Sequence, residues 1–174
     1  MGLARFLFQH IRKRRVKEMA IMTDEKGNVF LEFIRTEEEQ LDLASLDAPL
    51  THSLIVVKCQ DAFLFMYNKW RSSWELPGGV IEKGETARQC VIRELFEETN
   101  QKISIVEFKG LMKFRLQPSY HGPERTEYGA LFSGELDVLD AFIENDEAKT
   151  ITIWDGISDI GEISGIDKKL IEFV

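Results

Sequence analysis

A turn of proline and two glycines, Pro77-Gly78-Gly79, runs into a stretch that cannot fold freely. Residues 79–101 read GVIEKGETARQCVIRELFEETNQ. Glu94, Glu97 and Glu98 fall within five consecutive positions, with Glu82 and Glu85 just before them and Glu75 upstream. Thr86 followed by Gln89 fits a capping box, so the spacing predicts a helix starting there. No proline or glycine interrupts residues 87–99. At about 100° per residue, Glu94 and Glu98 lie about 40° apart, and Glu97 falls about 60° to the other side of Glu94. The three therefore share one face, while Ala87, Val91, Ile92 and Leu95 are free to fill the buried side. Carboxylates this close repel one another, and a bound divalent cation relieves that repulsion. Glu85 is favoured near the positive end of the helix dipole. Arg93, four residues before Glu97, is placed to orient it.

The run resembles the Nudix box, G-x5-E-x7-R-E-U-x-E-E-x-G-U, where U is a bulky apolar residue. Gly79, Glu85, Arg93, Glu94, Leu95, Glu97 and Glu98 match in register. Asn100 and Gln101 depart from it. Position 100 would follow the helix end in a left-handed conformation, where asparagine ranks next after glycine. For Gln101 the expectation is a more exposed helix end. The bland alternative is a solvated acidic helix face.

The resemblance implies an α+β fold, an α/β/α sandwich with a mixed central sheet. It implies a Nudix domain over residues 51–174 and an N-terminal extension over residues 1–50. Strand-like stretches lie at 19–22, 29–35, 53–58, 62–67, 74–76, 103–111, 112–116, 126–136 and from 151 to 154. Residues 53–58 and 62–67 suit a hairpin, 36–50 a connecting loop, and 166–173 a C-terminal helix.

The resemblance also implies the chemistry. Nudix enzymes hydrolyse a nucleoside diphosphate linked to another group, using Mg²⁺, with Mn²⁺ as a substitute. Glu94, Glu97, Glu98 and the Gly79 carbonyl are the metal ligands by transfer, and Arg93 and Glu85 orient them. The family often draws its general base from beyond the box. Glu124, Glu127 and Glu135 are candidates beside the box glutamates, and Glu127 is the one favoured. Lys69 and Arg71 are candidates for substrate phosphates, with Trp70, Trp74, Phe114, Arg115 and Tyr120 around the cleft and His121 as a further contact. For the aromatics, core packing is the competing expectation. The leading substrate is a (deoxy)nucleoside triphosphate, an oxidised one included. ADP-ribose or a nucleoside diphosphate sugar is the alternative, and a homodimer built through the N-terminal region would suit it. A non-catalytic nucleotide sensor is the third reading.

The formal net charge of −8 over 174 residues argues against a general affinity for nucleic acid backbones. Cys59 and Cys90 suit reduced core residues of a cytoplasmic protein. No apolar run reaches the length of a membrane span. Residues 1–20 are different. Arg5, Arg12, Lys13, Arg14, Arg15 and Lys17 stand against Glu18 alone, with Leu3, Phe6, Leu7 and Ile11 at helical spacing. A surface helix packed on its own domain or on a partner subunit is preferred there over an RNA or membrane contact. Translation from Met19 would make the segment dispensable.

Overall fold

The computed structural model describes residues 20–119 and 122–174. The basic N-terminal segment, the Met19 start, Tyr120 and His121 therefore lie outside the described residues. One nine-stranded sheet dominates the rest. Its strands are β1 (Met22–Thr23), β2 (Val29–Ile34), β3 (Leu50–Cys59), β4 (Ala62–Asn68), β5 (Ser73–Glu75), β6 (Gly78–Val80), β7 (Glu107–Leu116), β8 (Arg125–Glu135) and β9 (Ala148–Trp154). The main path runs β1-β2-β7-β8-β3-β4-β5, with β6 paired to β3 and β9 to β4. β3 and β8 pair in parallel and every other pair is antiparallel, so the sheet is mixed. β1 and β2 precede residue 50 yet extend the same sheet through β7.

Side chains alternate across a strand, and each face of the sheet buries one set. Ile55, Val57, Leu64, Tyr128, Ala130 and Phe132 form one core with Val91 and Leu95 of α1 (Ala87–Thr99). Val56, Phe65, Leu76, Phe114, Leu131 and Trp154 form the other with Leu170 of α2 (Gly165–Leu170). The result is an α/β/α sandwich. Val91 and Leu95 are fully buried, each contributing roughly 1.5–3 kcal/mol relative to an exposed position. Among the described residues, no helix is long and apolar enough to cross a membrane.

Two expectations change, and a third holds over a shorter span. Ile92 stays 41% exposed on the outer side of α1, and the buried side is completed by Cys90 instead. Residues 103–116 are not two strands. Positions 103–106 remain outside the ladder, and β7 runs unbroken with a register shift beside Gly110. There φ is +147°, and a Cβ would lie 2.4 Å from the Ile34 carbonyl oxygen, so glycine fits where a larger residue would not. Residues 53–58 and 62–67 do form a hairpin, but β3 pairs with β4 only at Lys58 and Cys59, because its first half is occupied by β6.

Candidate functional site

The helix that carries the carboxylates is fixed at both ends. Thr86 Oγ1 accepts from the Gln89 amide at 3.2 Å, and the Thr86 amide donates to Gln89 Oε1 at 2.9 Å, closing the capping box. Ser53 Oγ donates to the Ala87 carbonyl at 2.9 Å and ties the helix start to β3. At the other end Asn100 takes a left-handed conformation, φ 59°, and its amide donates to the Phe96 carbonyl. Gln101 is the reverse of what its polarity suggests. It is 1% exposed, and its side-chain amide works as a piece of backbone. Nε2 donates to the carbonyls of Thr99 and Asp140, while Oε1 accepts from the Asp140 amide at 2.8 Å. The partners satisfy the amide, so burial costs little.

The three carboxylates of α1 meet different surroundings. Glu98 is 4% exposed and accepts from the Gly78 amide at 2.8 Å. Burial, with Glu147, Glu94 and Glu75 nearby, pushes its carboxyl up to about 9 against that one hydrogen bond. Glu94 is also raised, first by burial, although Arg93 opposes this. It presses on β6 so closely that a Cβ on Gly79 would lie 2.3 Å from Glu94 Oε1. Glu97 is the exposed member and meets Arg93 Nη1 at 3.1 Å. Arg93 is the hub. Its Nε and Nη2 fork onto Glu85 at 2.9 Å each, Nη1 reaches Glu94 at 2.8 Å, and Nη2 also donates to the Val80 carbonyl. The Arg93 hydrogen bonds and the Glu82 amide hold Glu85 down, to about 2.

Among the described residues, no three His, Cys, Asp or Glu side chains close into a preformed metal cage. The donor chemistry still fits a hard divalent cation. Every candidate donor is an oxygen, and Mg²⁺ takes one or two carboxylates while keeping several waters. Glu98 is a buried acid with no cationic partner among the described residues, and the partly buried Glu94 shares Arg93 with Glu85 and Glu97.

The structure adds residues that the sequence reading missed. Glu147, at the foot of β9, lies close enough to raise both Glu94 and Glu98. Its Oε1 accepts from Asn68 Nδ2 at 2.9 Å. Asn145 Nδ2 donates to the carbonyls of Glu97 and Glu98 and covers the C-terminal end of α1. The sequence signal was available in the acidic run Glu144-Asn145-Asp146-Glu147 just before a strand.

The remaining candidates have partners of their own. Lys69 Nζ pairs with Glu144 at 2.7 Å, and Arg71 Nη1 pairs with Glu75 at 2.6 Å and lies 4.0 Å from Glu147. Both cations hold the protein together here, because each sits opposite a carboxylate of its own chain. Glu127 is not brought to Glu94 and Glu98. Its neighbour Tyr128 packs in the α1-side core, so alternation turns Glu127 to the opposite face, level with Phe114. There His52 Nδ1 lies 3.4 Å from it and Arg125 Nε donates at 2.8 Å. Burial alone would raise its carboxyl, but His52 and Arg125 hold it down to about 2, which makes it a weak base. Glu124 is exposed, and Glu135 ends β8 opposite Lys58, away from β6. Phe114 is buried in the α2-side core, and Trp74 packs on Tyr67.

A family model described as the NUDIX domain matches residues 49–172. A MutT-like protein of Streptomyces ambofaciens is 36% identical over 93 residues, covering 45% of this chain and 60% of that protein. The chain thus spans less than two thirds of that relative's length. Among solved structures, the Bacillus subtilis pyrophosphohydrolase BsRppH aligns with a TM-score of 0.66 at 18% identity, over 87% of this chain and 89% of that one. The Nudix domain of Shewanella oneidensis NrtR, solved with ADP ribose, aligns with a TM-score of 0.58 at 19% identity, over 77% and 91%. At these identities the two structures speak to the fold.

Proposed function

The chain belongs to the Nudix family, and from that premise we propose that it is a divalent-cation-dependent hydrolase. It cleaves the diphosphate linkage of a nucleotide, with a (deoxy)nucleoside triphosphate, oxidised or not, as the leading substrate. One observation carries the reading. Glu98 is buried with Glu147, Glu94 and Glu75 nearby, where it favours its uncharged form until a cation arrives, and the partly buried Glu94 is shifted in the same direction. A solvated acidic face would instead expose its carboxylates.

Glu94, Glu97, Glu98 and the Gly79 carbonyl would hold Mg²⁺ or Mn²⁺, and Glu147 stands beside them. When bound, the cation supplies neutralisation of phosphate charge and polarisation of the attacked phosphorus. The chain's own residues supply position. Arg93 fixes Glu85, Glu94 and Glu97 relative to β6 through four hydrogen bonds and the Val80 carbonyl. Gly79 lets Glu94 lie against the backbone. Water forms the new bond to phosphorus, the bridging P–O bond breaks, and the leaving phosphate takes the electron pair. We assign Glu97 to receive the proton from that water on the carboxylate oxygen that the cation would leave free, since it is the solvent-exposed carboxylate of the three.

Similarity to a Bacillus subtilis protein described as a putative 8-oxo-dGTP diphosphatase, 26% identical over 82 residues and 53% of that protein, supports the nucleoside triphosphate reading. ADP-ribose stays in the test as the alternative. The experiment is a panel of nucleoside triphosphates, oxidised triphosphates, ADP-ribose and nucleotide sugars with Mg²⁺, with and without chelator, products identified. Cation-dependent release of a nucleoside monophosphate is expected. Tight nucleotide binding with no turnover of any compound would make the chain a sensor instead.

A further inference from the structure

We infer that Trp70 is the platform on which the nucleobase of the substrate stacks, an inference that rests on the nucleotide reading above. Trp70 sits in the turn 69–72 between β4 and β5 and is 68% exposed. The other two tryptophans are committed to the fold. Trp154 is buried with Nε1 donating to the Ser158 carbonyl, and Trp74 packs on Tyr67 with Nε1 donating to the Ile160 carbonyl. A large exposed aromatic does little for folding, and rings in such positions are enriched where ligands are recognised.

The turn around it is rigid. Asn68 Oδ1 accepts from the amides of Trp70 and Arg71 at 2.9 and 3.0 Å, and the Ser72 amide donates back to the Asn68 carbonyl. Lys69 and Arg71, on either side, are fastened to Glu144 and Glu75. The same Asn68 side chain holds Glu147 through Nδ2. The Glu147 amide in turn donates to Asn145 Oδ1, and Asn145 Nδ2 donates to the carbonyls of Glu97 and Glu98, so hydrogen bonds join the turn that carries the ring to the helix end that carries the carboxylates. A nucleotide anchored by its phosphates at those carboxylates would meet an aromatic ring already ordered, so stacking costs little further immobilisation. Lys69 and Arg71 are occupied by their acids, which leaves the ring as the recognition element that this turn has to offer.

The test uses Trp70→Ala and Trp70→Phe on the full chain, with equal melting temperatures required of both. For a nucleotide that the panel shows to be turned over, Trp70→Ala should raise KM about 5- to 150-fold, the range for loss of one base–aromatic stack. Trp70→Phe should recover most of that loss. Inhibition by inorganic pyrophosphate, which has no base, should not change. Tryptophan emission of the parent should be quenched by AMP with Mg²⁺, and the quench should vanish in Trp70→Phe, because Trp154 is buried and Trp74 is packed on Tyr67. An unchanged KM and an unaffected quench would overturn the inference while leaving the hydrolase reading intact. Failure of the whole panel would sink that reading, and the AMP titration would still decide Trp70.

Discussion

Glu98 is a carboxylate in surroundings that favour its neutral form, held by a single amide at Gly78. Two consequences of Glu98→Gln follow and should be measured together. Without cation the variant should melt higher than the parent, because a group that resists ionisation is replaced by a neutral amide that still accepts from Gly78. Turnover should fall at least a hundredfold, beyond the roughly 10–100-fold typical of losing an outer partner of a metal ligand. The Mg²⁺-induced rise in melting temperature should shrink with it. Near-normal turnover in both Glu98→Gln and Glu97→Gln would remove these residues from the metal site. Arg93 makes the complementary case. Lysine keeps the charge but not the fork that grips Glu85, so Arg93→Lys should cost about 10–100-fold in kcat. An Arg93→Lys enzyme as active as the parent would mean that orientation by this side chain is unimportant.

Across the helix, the most local features were the most legible. Thr86 and Gln89 predict a capping box from their spacing, and Asn100 predicts a left-handed end from its residue type, because both depend on neighbours within four positions. Thr86→Ala should lower stability by about 1 kcal/mol in urea denaturation, with little effect on KM. Gln101 was not legible. Its partner Asp140 is 39 residues away, and nothing in the box announces it. The same limit hid the outward turn of Ile92 and the continuity of β7, since burial and strand pairing are set by distant segments.

At the scale of the whole molecule, the sheet decides which residues can meet. Glu127 reads as a candidate base by position along the chain, but the register of β8 turns it to the other face, and register is not written in one strand. The mixed sheet between two helical layers was legible from the box and the strand pattern. The network joining Asp167 of α2 to the Leu76 amide beside the site was not. Asp167 is buried, and burial together with Glu75 pushes it up to about 7, against the ordinary 3.8. Unfolded chains lose this proton first, so between those two values Asp167 makes stability fall as pH rises, by at most about 1.4 kcal/mol per pH unit, and above them the fall that continues belongs to Glu98, raised to about 9. Melting curves from pH 4 to 8 without cation should show this slope added to that of Glu98, and Asp167→Asn should make the fall shallower below pH 7. An unchanged slope would place the titration elsewhere. The turn 69–72 and the connection 136–147 are buttoned to each other through Lys69, Asn68 and Glu147, and to the helix end through Asn145 and Gln101. Neither lies in a strand. They behave as one clasp, so a substitution at Asn68 or Asn145 should loosen the Trp70 turn and the end of α1 together, which amide exchange at both places would reveal.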